Sequence, residues 1–203
     1  MKRRYLLGTA ALAVALGLPP GASLAQDAAD LPAVTDQVLG DPAAPVTIIE
    51  YSSLTCPHCA AFHTDTLPAL KERFIDTGQA KLIARDFPLD QSALNAAVIA
   101  HCAGPDRYFA FLDALFASQS SWARSDDPRE SLIQLAGLGG LSRDKAEACL
   151  ASEAMQDAVL QVRLDGQEEF QISSTPSFII NGEMMTGNQS IDEFATLIEA
   201  ATP

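Results

Sequence analysis

The sequence predicts an α/β fold in which an all-helical subdomain is inserted between the parts that form the sheet. Strand-like runs of apolar and β-branched residues occur over 46–51, 81–87 and 177–186, on both sides of the insertion. Between about residues 90 and 170, the apolar residues recur at helical spacing. The chain has 203 residues, 48% of them hydrophobic and 19% charged, which suffices for one domain with a sizeable insertion.

The first 25 residues have the pattern of a secretory signal peptide. Three basic residues at 2–4 precede an apolar run that ends at Leu18, and a small-x-small cleavage site ends at Ala25. The apolar run, about 14 residues, is shorter than the ~20 residues that a membrane-spanning helix needs. We therefore expect an exported protein. After the signal we expect a flexible leader over 26–39, too short for a dimerisation domain, and a monomeric folded domain over 40–203.

The charge of the chain argues against two classes of partner. The 13 Lys and Arg residues are outnumbered by 26 Asp and Glu residues, so the net charge is −13. The signal carries three basic and no acidic residues, so its removal leaves a net charge of −16. A protein this acidic repels nucleic acid and anionic membrane surfaces, and we expect neither as a partner.

The elements before the insertion are predicted to form a strand–helix–strand unit. Residues 46–51 have the composition of a strand that is buried on both faces. Pro57 suits the first position of the helix that follows, where a missing N–H group costs nothing. Pro68 lies inside this helix and should kink it, because its ring collides with the carbonyl group of Thr64. A second strand over 81–87 completes the unit.

The segment from residue 92 to about 170 is predicted to be helical throughout. Asp127-Pro128 opens one helix, and Ser142 and Ser152 are N-cap residues for two more. This region forms an inserted subdomain of roughly eighty residues.

The C-terminal part returns to β-structure. Asn181-Gly182 lies between two strand-like runs, which is the pattern of a two-residue hairpin. Ser190 and Glu193 then form a capping box for a final amphipathic helix. The resulting order, β-α-β, helices, β-β-α, resembles the thioredoxin fold with a helical insertion.

The tetrapeptide Cys56-Pro57-His58-Cys59 lies at the junction between the first strand and its helix. The unpaired N–H groups and the positive dipole end of a helix N-terminus stabilise a thiolate, and Cys56 occupies that position. His58 adds a hydrogen-bond donor or a positive charge in the same turn. Cys59 lies further into the helix, where it is suited to resolve a mixed disulfide formed through Cys56. The motif predicts a redox-active disulfide and no other cofactor.

Two other uses of the same thiols remain open. A disulfide between consecutive helical turns would constrain little, which argues against a purely structural bond. Zinc takes four ligands, and the sequence contains no second CxxC or paired-His motif. Cys56, Cys59 and His63 could bind Cu(I), which would make the protein a metal-binding module. We expect no metal.

Glu50 is the one charged residue in the apolar run of the first strand, six residues before Cys56. A buried carboxylate is costly unless it is paired or has a task, and here it could accept the proton of Cys59. A position at the sheet edge, with the carboxylate in solvent, explains the residue equally well.

Thr175-Pro176 directly precedes the first strand of the hairpin. In this architecture the loop faces the CxxC motif, and a cis proline there would leave backbone groups free to pair with an extended substrate. A trans turn proline is the commoner arrangement in proteins generally.

Cys102 and Cys149 lie on predicted helix faces that point into the core. An exported compartment permits disulfides, so we expect these cysteines to form a structural disulfide, with two separate buried thiols as the alternative. His101 precedes the first of them and is expected to be a packing residue.

These residues make the chain similar to the DsbA-like family of bacterial exported thiol–disulfide oxidoreductases, from about Gly40 to the C-terminus. The resemblance implies that Cys56 is the exposed nucleophile, that Cys59 is its partner, and that Pro176 is a cis residue in substrate binding. It also favours a buried, functional Glu50, a periplasmic location and a quinone-linked membrane partner that reoxidises the thiols.

Two features depart from the simplest members of the family. Thr175 replaces the valine before the cis proline, as it does in several branches that include isomerase-like proteins. Cys102 and Cys149 are an additional pair, and in this the chain resembles some alphaproteobacterial relatives. The leading hypothesis is a periplasmic dithiol oxidase that introduces disulfides into reduced or misoxidised exported proteins. The alternatives are an isomerase or reductase of the same fold, or a Cu(I)-binding module.

Overall fold

Five strands form one mixed sheet in the described part of the chain. The computed structural model describes residues 31–202, so the signal peptide expected over 1–25 lies outside the described residues. The strands are β1 (Gln37–Leu39), β2 (Val46–Ser52), β3 (Ala80–Asp86), β4 (Ser177–Ile180) and β5 (Glu183–Thr186). Their spatial order is β1-β3-β2-β4-β5, with β2 parallel to β3 and the other pairings antiparallel. The predicted α/β fold is confirmed, and β2 is its central strand.

Strand β1 corrects the prediction of a flexible leader over residues 26–39 at its last three residues, whereas residues 26–30 lie outside the described part of the chain. It pairs with β3 in antiparallel register, with Gln37 opposite Ala84. Beside this pairing, Arg85 of β3 donates two hydrogen bonds of 2.9 Å to the carboxylate of Asp36. The leader has little hydrophobic pattern of its own, and its last residues become a strand because β3 offers an edge to pair with.

The helix that begins at the CxxC motif alternates between α-helical and π-helical turns. It comprises α1 (Pro57–Ala61), a π-helical turn (Phe62–Thr66), α2 (Leu67–Leu70) and a second π-helical turn (Lys71–Ile75). In the first π-helical turn the N–H group of Leu67 donates to the carbonyl of Phe62, five residues earlier. A widened turn therefore leads into Pro68, which has no N–H group to donate. The widened turn thus accommodates Pro68, the residue at which the sequence predicted a kink.

Six helices, all within the described residues, form the insertion. They are α3 (Gln91–Cys102), α4 (Pro105–Ala117), α5 (Gln119–Ala123), α6 (Pro128–Leu138), α7 (Arg143–Ala151) and α8 (Glu153–Phe170). The side chains of Asp127, Ser142 and Ser152 cap α6, α7 and α8, as predicted. The buried residues of the insertion form a hydrophobic cluster that also includes Cys56 and Cys59. The two thiols therefore lie where the insertion meets the sheet.

Helix α8 attaches the insertion to the central strand. Gly166 of α8 lies directly on the ring of Tyr51, and a Cβ atom added there would come within 2.5 Å of that ring. Arg163 donates a hydrogen bond of 2.7 Å to the carbonyl of Pro88 and lies over the ring of Phe87. One helix thus contacts both β2 and the segment that follows β3.

The hairpin and the final helix follow the prediction. β4 and β5 are joined by Asn181 and Gly182, which have positive φ angles of 45° and 96°. Helix α9 (Ile191–Ala201) begins with the capping box of Ser190 and Glu193. Within residues 31–202, no helix combines the length and the apolar character that a membrane crossing requires.

Candidate active site

The two cysteines of the CxxC motif occupy different environments at the start of α1. Cys56 is the N-cap residue, with an extended backbone, and Pro57 takes the first helical position. Cys56 is 7% exposed, whereas Cys59 is fully buried, and both are free thiols in this structure. Pro57 and His58 are exposed beside Cys56. A partner molecule can therefore reach the sulfur of Cys56 but not that of Cys59.

The surroundings shift the pKa values of the two thiols in opposite directions. A hydrogen bond from Cys59 is the largest influence on Cys56, and with the Thr175 side chain and the N–H groups of Cys59 and His58 it lowers the pKa of Cys56 to about 5, against the effect of burial. Burial and the adjacent Cys56 raise the pKa of Cys59 far above its ordinary value. His58 acts on Cys56 through its backbone N–H group, while its imidazole is on the surface. At neutral pH, Cys56 is a thiolate and Cys59 is a thiol.

The loop at Thr175-Pro176 contacts Cys56, and the peptide bond between its two residues is cis. The Cys56 thiol donates a hydrogen bond of 3.3 Å to the carbonyl oxygen of Thr175. The carbonyl of Pro176 already accepts from the N–H group of Gly187, at 2.8 Å. Of these two carbonyl groups, that of Thr175 becomes available to another donor once Cys56 has lost its proton.

Glu50 lies on the central strand, and its side chain is fully buried. This placement excludes the edge position that the sequence left open. Nε2 of the buried His63 lies 3.0 Å from one Glu50 carboxylate oxygen and 3.2 Å from the other. Burial alone would lower the pKa of His63, but the charge of Glu50 and the nearby Asp113 raise it to about 9. The charge of Glu50 is also the smallest of the influences that raise the pKa of Cys59.

Comparison with known proteins identifies the family to which this site belongs. A family model described as thioredoxin matches residues 32–200. The crystal structure of alpha-DsbA1 from Wolbachia pipientis is 34% identical, with a TM-score of 0.77, and the match covers 86% of this chain and 94% of that one. The chain belongs to the DsbA-like family.

Two further proteins resemble this chain, one in fold and one in sequence. Oxidised BdbD from Bacillus subtilis, 24% identical, shares the fold with a TM-score of 0.74 over 84% of this chain and 95% of that one. A protein of Rickettsia conorii named "Putative protein-disulfide oxidoreductase" is 35% identical over 82% of this chain and 60% of its own length. This DsbA-like chain thus spans about three fifths of the length of the curated relatives that it matches first.

The additional cysteines of this DsbA-like protein are joined to each other. Cys102, at the end of α3, and Cys149, in α7, form a disulfide with a Cα–Cα distance of 6.1 Å. The neighbouring His101 is buried, and its Nε2 atom lies 2.7 Å from a carboxylate oxygen of Asp86. His101 therefore has a polar partner as well as the packing role predicted from the sequence.

Two polar residues support the thiol loop, and the sequence did not identify either of them. Gln119 of α5 donates hydrogen bonds of 2.9 Å to the carbonyl groups of Leu54 and Cys56. Asp90 caps α3 through one carboxylate oxygen and accepts from the Thr55 hydroxyl, at 2.7 Å, through the other. The helical pattern after Asp90 marks it as an N-cap candidate. No sequence signal connects Gln119 with residues more than sixty positions away.

The three Cu(I) ligands considered from the sequence, Cys56, Cys59 and His63, have different partners in the structure. Nε2 of His63 faces Glu50, whereas Cys56 and Cys59 contact each other. Within residues 31–202, no group of three or more His, Cys, Asp and Glu side chains could hold a metal ion. Cys56 and Cys59 thus form a thiol pair, whereas His63 belongs to a buried ion pair with Glu50.

Proposed function

We propose that this protein is a dithiol oxidase that introduces disulfides into exported client proteins. The observation that carries the proposal is the difference between its thiols. Cys56 has access to the surface and a pKa of about 5, whereas Cys59 is buried with a raised pKa. Stabilisation of the Cys56 thiolate favours the reduced form, which makes the disulfide a stronger oxidant. A reductase of the same fold stabilises its thiolate less, as the nucleophile pKa of about 7 in thioredoxin illustrates.

The proposed reaction starts from the Cys56–Cys59 disulfide. A client thiolate attacks the sulfur of Cys56, the bond to Cys59 breaks, and Cys59 leaves as a thiolate that takes up a proton. A second client thiolate then attacks the client sulfur of the mixed disulfide. Cys56 leaves as a stabilised thiolate, the client retains a disulfide, and two electrons have passed from the client to the protein.

The Thr175-Pro176 loop provides a docking edge for the client. The Thr175 carbonyl accepts a hydrogen bond from Cys56 only while that residue is a thiol, so it receives none from the Cys56 thiolate or from the disulfide. That carbonyl can then accept an N–H group from an extended client segment. Gln119, through its bond to the Cys56 carbonyl, keeps the nucleophile beside this edge. We assign the role of proton acceptor for Cys59 to Glu50.

The proposed setting is the periplasm, where the protein acts as a monomer. The signal pattern over residues 1–25 supports export, and an oxidising compartment is consistent with the disulfide between Cys102 and Cys149. Each cycle leaves the protein reduced, so it requires a partner that accepts two electrons. We propose a quinone-linked membrane protein for that step.

The reduction potential tests the proposal. The mature protein is equilibrated with glutathione buffers, and free thiols are counted by alkylation and mass spectrometry. An oxidase is expected near the value of DsbA, about −120 mV, whereas about −180 mV would indicate an isomerase and about −270 mV a reductase. With oxidised glutathione, Cys59→Ser should retain glutathione on Cys56, and Cys56→Ser should form no such adduct at the motif.

A further inference from the structure

The buried ion pair of Glu50 and His63 has a second polar end. The His63 ring stacks on Phe116 with 4.1 Å between centroids and meets Phe62 edge-on at 5.4 Å, so its orientation is held by packing. Because Nε2 is directed at Glu50, Nδ1 lies on the opposite side of the ring. Nδ1 is buried and has no hydrogen-bond partner within residues 31–202. A buried ring nitrogen without a hydrogen-bond partner needs an explanation, and a role in proton transfer is one.

Asp113 of α4 places a carboxylate oxygen 4.0 Å from Nδ1 of His63. Its side chain is 67% exposed, so a small rotation brings it within hydrogen-bond distance. His63 and Asp113 both line a groove of about 390 Å³ between α4 and the helix that begins at the CxxC motif. Within residues 31–202, neither Cys56 nor the Thr175-Pro176 loop lines this groove. The groove is thus separate from the residues at which a client would react.

Closure of the redox disulfide requires a route for one proton. Cys59 is fully buried with a raised pKa, so its thiol must give up its proton to a base inside the protein. His63 follows Cys59 by four positions in the same helix, so the two side chains lie on neighbouring turns of one face, and Glu50 is 3.0 Å from His63. The charge of Glu50 also contributes to the raised pKa of Cys59. A proton gained by Glu50 would, however, leave the His63 imidazolium without a counter-charge, and an uncompensated buried charge is costly. His63 removes that cost if it releases a proton as Glu50 gains one.

We propose that His63 exchanges protons between the interior and the groove each time the redox disulfide closes or opens. This inference rests on the proposed oxidase function. On closure, Cys59 gives its proton to Glu50, its thiolate attacks the Cys56 sulfur of a mixed disulfide, and the leaving thiolate takes the electron pair. His63 releases its Nδ1 proton to Asp113 in the same step, so the pair changes from carboxylate and imidazolium to carboxylic acid and imidazole. On opening, Cys59 recovers the proton from Glu50, and Nδ1 takes one up from the groove.

The other titratable groups around the pair do not provide this connection. Burial, with further contributions from nearby carboxylates that include Glu50, raises the pKa of Tyr108 well above its usual value, so it stays a phenol. Lys71 lines the groove, but its ammonium group is paired with Asp76. His63 alone among these groups has one nitrogen at Glu50 and the other near the groove. One ring therefore positions Glu50 and also balances the charge of Glu50 by releasing or taking up a proton at the groove.

The test separates two steps in the mature protein. Reduced protein is mixed with oxidised glutathione and quenched with acid at intervals, at several values between about pH 5 and pH 8. Mass spectrometry then follows the glutathione adduct on Cys56 as it forms and as Cys59 displaces it. Formation reports the Cys56 thiolate, and displacement reports proton loss from Cys59.

Two matched substitutions on α4 test whether proton release at the groove affects the reaction. Asp113→Asn removes the proposed acceptor, and Asp106→Asn makes the same charge change in the exposed first turn of the same helix. We expect Asp113→Asn to slow displacement at least about fivefold, with adduct formation unchanged, and Asp106→Asn to alter neither step. The decrease in rate should be smaller than the roughly 100-fold that follows the loss of a general base, because water in the groove still accepts protons.

Chemical rescue tests the ring itself. His63→Ala should slow displacement by roughly 100-fold, and added imidazole should restore the rate in a saturable manner. The inference is overturned if the two α4 variants displace the adduct at the same rate, a comparison that stands even if His63→Ala fails to fold. It is also overturned if imidazole accelerates His63→Ala no more than the unmodified protein. Failure of the unmodified protein to form the adduct would instead refute the proposed function.

Discussion

Gln119 reaches from the helical insertion to the carbonyl oxygen of Cys56, to which its amide donates a hydrogen bond of 2.9 Å. The same nitrogen donates to the carbonyl of Leu54 at 2.9 Å. The loop that leads into the CxxC helix is therefore tied to α5, although the helix itself packs against the sheet. The insertion thus forms part of the thiol site.

Replacement of Gln119 by alanine should destabilise this loop. Two hydrogen bonds are lost, each contributing about 1 kcal/mol, so the free energy of unfolding should fall by about 1–3 kcal/mol. Gln134→Ala removes a bond between the exposed side chains of Gln134 and Glu130 and serves as the matched control. Urea unfolding of the oxidised variants measures the difference. Equal stability of the two variants would show that Gln119 does not hold the loop.

The Cys56 thiolate should titrate at about pH 5 in the reduced protein, because Cys59, the Thr175 side chain and two N–H groups donate hydrogen bonds to it. Ultraviolet absorbance of the thiolate as a function of pH measures this value. Cys59→Ser replaces the strongest contributor, so its transition should change position, and Cys56→Ser should show no transition in this range. A transition near the ordinary pKa of a thiol, about 8.5, would contradict the assignment.

The same shift makes the stability of the reduced protein depend on pH. The pKa of Cys56 is lower in the folded protein than in the unfolded chain, so the thiolate stabilises the folded state above about pH 8.5. That contribution is lost as the pH falls to about 5. The oxidised protein has no thiolate, so the reduced form should lose stability relative to it over this window. Urea unfolding of both forms measures the gap, and a gap that stays constant would be incompatible with the shift.

Removal of one member of the Glu50–His63 pair should cost more than replacement of both. Glu50→Leu or His63→Phe leaves a buried polar partner uncompensated, and each should lower the free energy of unfolding by about 3–5 kcal/mol. The double variant replaces the pair with apolar groups, so it should lose clearly less than the sum of the single losses. A double-mutant cycle from urea unfolding of the reduced proteins, in which the pair is charged, provides the comparison. Additive losses would mean that the two side chains do not interact.

The disulfide between Cys102 and Cys149 should stabilise the insertion. The two residues are 47 positions apart, and a loop of that length corresponds to about 4 kcal/mol in the chain-entropy description. The double alanine variant should unfold at a correspondingly lower urea concentration while the CxxC thiols still titrate as before. Alkylation and mass spectrometry of the native protein should find both cysteines blocked, and free thiols there would contradict the pairing.

Sequence signals predicted the parts of the fold that depend on neighbouring residues. The Asn181-Gly182 turn and the N-caps at Ser142 and Ser152 each involve atoms only a few positions apart, and the structure contains all of them. Strand β1 lacks such a signal, because three residues become a strand only when a distant strand offers them partners.

The same distinction applies to the candidate site. The location of Cys56 and Cys59 at a helix start followed from the motif and its flanking residues. The burial of Glu50 depends on β2 being central, which is a property of the complete sheet order. Gln119 and Asp113 reach their partners from the insertion, across separations that no local pattern records.

The close contact between Gly166 and Tyr51 limits how the sheet and the insertion can move against each other. A hinge opening between them would expose the fully buried Tyr51 ring and break the hydrogen bond from Arg163 to Pro88. Both losses oppose such a motion. The protein therefore presents a preformed surface and does not close around a bound molecule through a hinge between the sheet and the insertion.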